Sequence, residues 1–164
     1  MEKKDLDIRY SMWEDEAFLL KNLENERINQ WFPMSGKEEI KESVRNWMNF
    51  VRFRSSLTAI MNGQPCGMGT LFLMPYKKVA HQAMFYMFIA EKFQKQGIGT
   101  SLLKNMLNLA KNYFRLEMLV CEVFEGCPIF SLLEKFHFTS FAYQEKYVKI
   151  NEKYLARNML EYFL

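Results

Sequence analysis

The stretch Gln94-Lys95-Gln96-Gly97-Ile98-Gly99-Thr100 constrains this chain more than any other. It follows an apolar run, Met84-Phe85-Tyr86-Met87-Phe88-Ile89, whose aromatic content and polar flanks predict a buried strand. After it, Leu102, Leu103, Met106, Leu107, Ala110, Tyr113 and Phe114 recur at helical spacing, with Lys104, Asn105, Asn108, Lys111 and Asn112 on the opposite side. A glycine-containing loop thus joins a strand to a helix N-terminus. The first backbone N–H groups of a helix have no intrahelical acceptor, and the helix dipole adds partial positive charge there. Gly97 and Gly99 carry no Cβ, so an anion can come close to the backbone. Such a place suits a pyrophosphate.

Spacing narrows the choice of pyrophosphate. A dinucleotide fingerprint needs a small residue three places after its second glycine, and Leu102 stands there. No P-loop lysine follows Gly99. Gln94 to Gly99 does satisfy the pattern Q/R-x-x-G-x-G/A throughout.

The rest of the chain reads as alternating elements. Asp7 to Met12 is a predicted strand and Glu14 to Asn25 a helix. Arg27 to Met34 is an apolar, irregular loop. Ser35 with Glu38 resembles a capping box, opening a helix with Ile40, Val44, Trp47, Met48 and Val51 on one face. Leu57 to Met61 and Cys66 to Met74 are strands joined at the hairpin signal Asn62-Gly63. Beyond the glycine loop and its helix, Met118 to Val123 is a strand and Pro128 to Phe136 a short helix with proline in its first turn. Phe138 to Tyr143, Lys146 to Ile150 and Tyr154 to Met159 are the last strands.

At 164 residues one domain is the expectation, with chain enough for a substantial core. The net charge of +3 is too small, and its bases too scattered, to point to nucleic acid. No apolar run approaches membrane-spanning length. Met1-Glu2-Lys3-Lys4-Asp5 has no apolar signal-peptide core. The three cysteines, Cys66, Cys121 and Cys127, lack metal spacing and fit reduced thiols, hence a cytoplasmic location. His81 and His137 are too far apart in sequence to suggest a metal site.

The loop pattern in this setting resembles the acetyl-CoA loop of the GNAT superfamily of N-acetyltransferases. The element order resembles that family over nearly the whole chain. Asn62-Gly63 with Gly67 looks like the family's second hairpin, and Leu119 to Val123 like its fifth strand. Leu133-Glu134-Lys135-Phe136-His137-Phe138 is similar to the Y-x-x-x-G-F ending of its last helix. The resemblance implies an α/β fold: a single GNAT-like domain over residues 1–164, with a mixed central sheet of about seven strands and about four flanking helices.

It also implies acetyl-CoA as acyl donor, an amine acceptor, and direct attack of the amine on the thioester in a ternary complex. Met87, Phe88 and Ile89 would pair with pantetheine, with a backbone N–H near Ile89 at the thioester oxygen. Gln94, Lys95, Gln96, Gly97, Ile98, Gly99 and Thr100 would hold the pyrophosphate. Trp31, Phe32 and Tyr143 fall where the family binds its acceptor. The residues themselves point to no metal, nucleic acid or membrane partner, and a homodimer is left open.

The chain departs from the family where protons move. The tyrosine that usually protonates the leaving thiolate aligns with Leu133, or with Glu134 if the gap shifts by one. The asparagine seven residues earlier aligns with Gly126 or Cys127, and the strand glutamate of histone-type members with Ala83. Glu122 and Tyr86 are the candidate substitutes, as base and titratable hydroxyl. Each has a plainer reading, Glu122 on a solvated strand face and Tyr86 as a core tyrosine. The departures leave a second function open, a CoA-binding regulatory module with little or no turnover.

Overall fold

The computed structural model describes residues 5–164. The Met1–Lys4 part of the N-terminal stretch lies outside the described residues. In chain order the elements are β1 (Leu6–Tyr10), α1 (Glu16–Leu23), α2 (Glu26–Asn29), α3 (Gly36–Met48), β2 (Ser56–Met61), β3 (Gln64–Leu73) and β4 (Gln82–Ile89). Then come α4 (Ile98–Asn108), β5 (Met118–Phe124), α5 (Ile129–Lys135), β6 (Thr139–Ile150) and β7 (Lys153–Phe163). The seven strands form one mixed sheet in the order β1-β2-β3-β4-β5-β7-β6. This is the expected α/β architecture.

Side-chain alternation along the strands sorts the core into two layers. One face carries Leu71, Phe85, Cys121 and Leu160, packed with Leu103 and Met106 of α4 and Leu133 of α5. The other face carries Met68 and Phe88, packed with Leu19 and Leu23 of α1 and Val44 and Trp47 of α3.

Several sequence expectations change in detail. The segment read as a loop from Arg27 onward begins inside α2, a helical turn whose N-terminus is capped by the Asn25 side chain accepting from Arg27 N at 3.0 Å. That turn brings the helices to five rather than about four. Ser35 is capped differently from expectation: its N–H donates to Glu39 at 2.7 Å, and Glu38 has no part. The helix after the glycine loop does not run regularly to Phe114. Its end widens into a π turn over Leu109–Tyr113, which leaves Tyr113 exposed. The two strands predicted at 138–143 and 146–150 are the single strand β6, with an irregularity between Gln144 and Val148.

One topological feature positions the site. β3 and β4 stay paired to Ile89, and β5 and β7 stay paired to Phe124. Between them β4 and β5 pair in parallel only from Gln82–Met84 to Met118–Val120. Each strand keeps its outer neighbour, so the sheet splits along its middle and opens a cleft.

Candidate active site

The cleft encloses about 760 Å³. Its first bank is the free edge of β4 with the glycine loop, and its second is β5 with α5. Because Ala90 donates to Cys66 O at 2.9 Å, the alternation of the antiparallel ladder turns the N–H groups of Met87 and Ile89 toward β5. The β5 pairing ended at Met84, so those two donors face the cleft without a strand partner.

The loop is built as the sequence suggested, with the work divided differently. Gln94 Nε2 donates to Ile89 O at 3.0 Å and ties the loop to the end of β4. Gln96 Nε2 donates to Lys92 O at 3.2 Å. Gly97 is the N-cap of α4 at φ 81°, a left-handed conformation that explains the glycine by itself. Ser101 N–H is the first to bond back, to Gly97 O at 3.2 Å. The N–H groups of Ile98, Gly99 and Thr100 therefore precede the first intrahelical bond. Gly99 has ordinary backbone geometry. A Cβ there would sit 3.5 Å from Leu132 of α5 and 3.8 Å from Ile89, in the gap between the two banks.

Trp31 and Phe32, from the segment after α2, line the cleft. The Trp31 ring reaches across to the turn after β5, where it would lie 3.8 Å from a Cβ at Gly126. Phe32 stands 6.3 Å from the Tyr86 ring, centre to centre. An ion pair from Arg27 of α2 to Glu91 ties this segment to the turn that follows β4. Tyr143 does not join them. It lies on β6, 57 % exposed, and is not among the residues lining the cleft.

Tyr86 and Glu122 face each other where the strands part. Tyr86 Oη donates to Glu122 Oε1 at 2.8 Å. Arg157 of β7 donates from Nη1 to Glu122 Oε2 at 2.7 Å. The Glu122 side chain is 6 % exposed, so the reading of it as a residue on a solvated face does not hold. A buried carboxylate without partners would cost several kcal/mol; here each oxygen accepts a hydrogen bond. Burial, and after it the Glu122 charge, push the Tyr86 hydroxyl well above the usual tyrosine range. Tyr86 is thus a weak acid, held neutral and aimed at a carboxylate.

Of the positions aligned with the family's proton-transfer groups, Glu134 is exposed and is not among the residues lining the cleft. Leu133 is fully buried in the core beneath α5. Cys127 lines the cleft, but burial pushes its thiol up, only partly countered by the Ile129 N–H. Cys121 is pushed up further, again by burial first. Among the described residues no group of three or more His, Cys, Asp or Glu is placed to hold a metal.

Sequence reasoning missed Arg157. One signal was available: in the last strand it interrupts the apolar alternation of Leu155 and Met159. A charge pointing to the same side as two apolar neighbours asks for a partner.

The donors present fit an acyl-CoA: N–H groups at the head of α4 ahead of the first intrahelical bond for phosphates, a free strand edge for an amide-bearing arm, and a Gly99 whose missing side chain lets the two banks come together. Comparison with solved structures agrees on the fold. An N-acetyltransferase from Staphylococcus aureus Mu50 superposes with TM-score 0.82 at 18% identity, covering 97% of this chain and 98% of that one. A ribosomal-protein-alanine N-acetyltransferase from Brucella melitensis gives 0.80 at 17% identity, over 96% and 99% of the chains. The yncA protein of Salmonella typhimurium, solved with its cofactor acetyl-CoA, gives 0.81 at 13% identity, over 96% and 93%. A search among curated proteins found no match. The model of the acetyltransferase (GNAT) family matches residues 20–138, from α1 through the glycine loop to the end of α5, and the chain belongs to that family.

Proposed function

We propose that the protein is an acetyl-CoA-dependent N-acetyltransferase in which an amine attacks the thioester directly. Family membership supports the acyl donor. One observation carries the chemistry: the Tyr86–Glu122 pair borders the same cleft as the Met87 and Ile89 N–H groups. A proton acceptor and oxyanion donors are thus set on the two sides of one gap.

Bound acetyl-CoA supplies an activated acyl group on a thiol leaving group. The chain's own residues do the rest. Ile98, Gly99 and Thr100 hold the pyrophosphate on backbone N–H groups. The β4 edge aligns the pantetheine arm, and Met87 or Ile89 N–H meets the oxygen that gains charge. Tyr86 can accept the amine proton only as it passes its own to Glu122 Oε1, so the pair works as a two-step relay. The proton held on Glu122 balances the negative charge of the departing thiolate and returns to it through solvent. Trp31 and Phe32 wall the acceptor end. No side chain takes the place of the family tyrosine at Leu133, so no protein acid is assigned to the thiolate.

The experiment is release of free CoA thiol from acetyl-CoA over a panel of amines, with the wild type beside Glu122→Gln. Turnover with at least one amine, abolished or strongly reduced in the variant, supports the reading. The buried leucine at position 133 favours a second reading, a CoA-responsive binding module. Thermal stabilisation by CoA with no thiol release from any amine would favour that module.

A further inference from the structure

Arg157 takes no part in the steps above, yet it completes the carboxylate they depend on. Its guanidinium is held on three sides. Nη1 donates to Glu122, and Nε donates to Gln144 Oε1 of β6 at 3.1 Å. The guanidinium carbon lies 3.7 Å from the centre of the Tyr147 ring, also on β6. That ring stands edge-on to Phe124 of β5 at 5.9 Å. Stability is a weak reason for such an arrangement, because a buried ion pair often contributes no more than well-packed apolar residues would. Nor does Arg157 touch the reactants, since it is not among the residues lining the cleft.

We propose that Arg157 is a positioning residue that holds the Glu122 carboxylate in place and aims its Oε1 at Tyr86. This rests on the reading of Glu122 as acceptor of the amine proton. The titratable and charged neighbours are Tyr86 on β4, Cys121 beside Glu122 on β5, Tyr147 on β6 and Arg157 on β7. Across the cleft Arg27 is already paired with Glu91, and Lys135 belongs to the rim on α5. Burial keeps Tyr86 and Cys121 neutral. Arg157 is therefore the cation in contact with Glu122. A guanidinium fixed by Gln144 and Tyr147 fixes the carboxylate oxygen it binds, and with it the direction of the other oxygen.

The test separates chemistry from binding. In Arg157→Gln, kcat is expected to fall by about tenfold or more while KM for acetyl-CoA stays near the wild type. Arg157→Lys keeps the cation but lacks the fork that also reaches Gln144, and it should recover part of that loss. Unchanged kcat in an Arg157→Gln protein that folds and binds acetyl-CoA overturns the proposal, as does failure of lysine to restore any activity. Should Arg157→Gln not fold, Tyr147→Leu removes the ring beneath the guanidinium. It is expected to lower kcat the same way by less, and an unchanged kcat overturns the proposal. Full activity in Glu122→Gln would defeat the base and Arg157's role together. A dead Glu122→Gln beside a fully active Arg157→Gln defeats the Arg157 role alone.

Discussion

Two carboxylate clusters in this molecule use nearly the same parts for different ends. At the N-terminal side Asp15 accepts from both terminal nitrogens of Arg9, from Met12 N and from Thr58 Oγ1, at 2.8–2.9 Å. Hydroxyls of Ser11, Ser56 and Thr70 extend that network between β1, β2 and β3, where the strands stay paired. At the centre Glu122 also accepts from an arginine and a hydroxyl, but there the strands have parted. Neither Asp15 nor its partners border the large cleft; Glu122 and Tyr86 do. An arginine–carboxylate–hydroxyl set is therefore not a catalytic sign in itself. With an intact ladder around it the set lies away from the cleft, and with a broken ladder it lies on the cleft wall.

The comparison breaks most visibly at the two carboxylates. Glu122→Gln is expected to lower kcat by about 10²- to 10⁴-fold with little change in acetyl-CoA affinity or melting temperature. Equal activity with and without the carboxylate would leave both clusters structural. Asp15→Ala should do the reverse. It leaves Arg9, Thr58 and the Met12 N–H without their shared acceptor, at a cost of about 3 kcal/mol in a denaturant titration. Turnover per folded molecule should be kept.

Acid sharpens that contrast. Burial alone would raise the Asp15 pKa, but hydrogen bonds from Arg9, Met12 and Thr58 outweigh it and hold the carboxyl below the usual aspartate range. A depressed carboxylate stabilises the fold above its unfolded pKa and loses that contribution as pH falls through the folded one. The stability difference between wild type and Asp15→Asn should thus be steady from neutrality to about pH 5 and shrink below about pH 4.

The glycine loop separates binding from chemistry. At about 100 times its Kd, a ligand adds about 2.7 kcal/mol to the stability of the protein that binds it. Gly99→Leu places its side chain in the gap between Ile89 and Leu132, and the CoA-induced rise in melting temperature should vanish while the unliganded fold survives. An undiminished rise in that variant would remove the pyrophosphate from the head of α4. The smallest effect is expected at Cys127. Its thiol is pushed up by burial, so little thiolate is present at neutral pH. Cys127→Ala should change kcat less than about twofold, and intact mass after incubation with acetyl-CoA alone should show no retained acetyl group.

What the sequence made legible is what short-range pattern encodes. Gln94 to Thr100 showed itself because a strand, a turn and a helix N-terminus are contiguous there. Even so, the division of labour was hidden: Gln94 braces β4, and the two glycines serve a backbone angle and a close approach between α4, β4 and α5. The Tyr86–Glu122 pair could be named as candidates, yet their contact depends on two strands running side by side and then separating. Tyr143 and Tyr147 show the limit most clearly. The irregularity between Gln144 and Val148 resets which side chains of β6 face inward, so Tyr147 reaches Arg157 and Tyr143 is left outside. No local pattern announces such a register change. The place of Arg157 between Leu155 and Met159 asks for a partner, but only the pairing of β7 with β5 shows that the partner is Glu122.

The insertion of β7 between β5 and β6 also sets an order of assembly. β6 joins the sheet through β7, so it depends on β7 for its place in the sheet. Docking of β7 onto β5 closes a loop across α5 and joins residues distant in sequence, a slow kind of step compared with helix formation or the β2–β3 hairpin. Arg157 reaches Glu122 only once it is done. On refolding, the aromatic layer around Trp47 and Phe88, built from earlier parts of the chain, should acquire its native fluorescence first. The ability to turn over an amine should return later, with the arrival of the final strand.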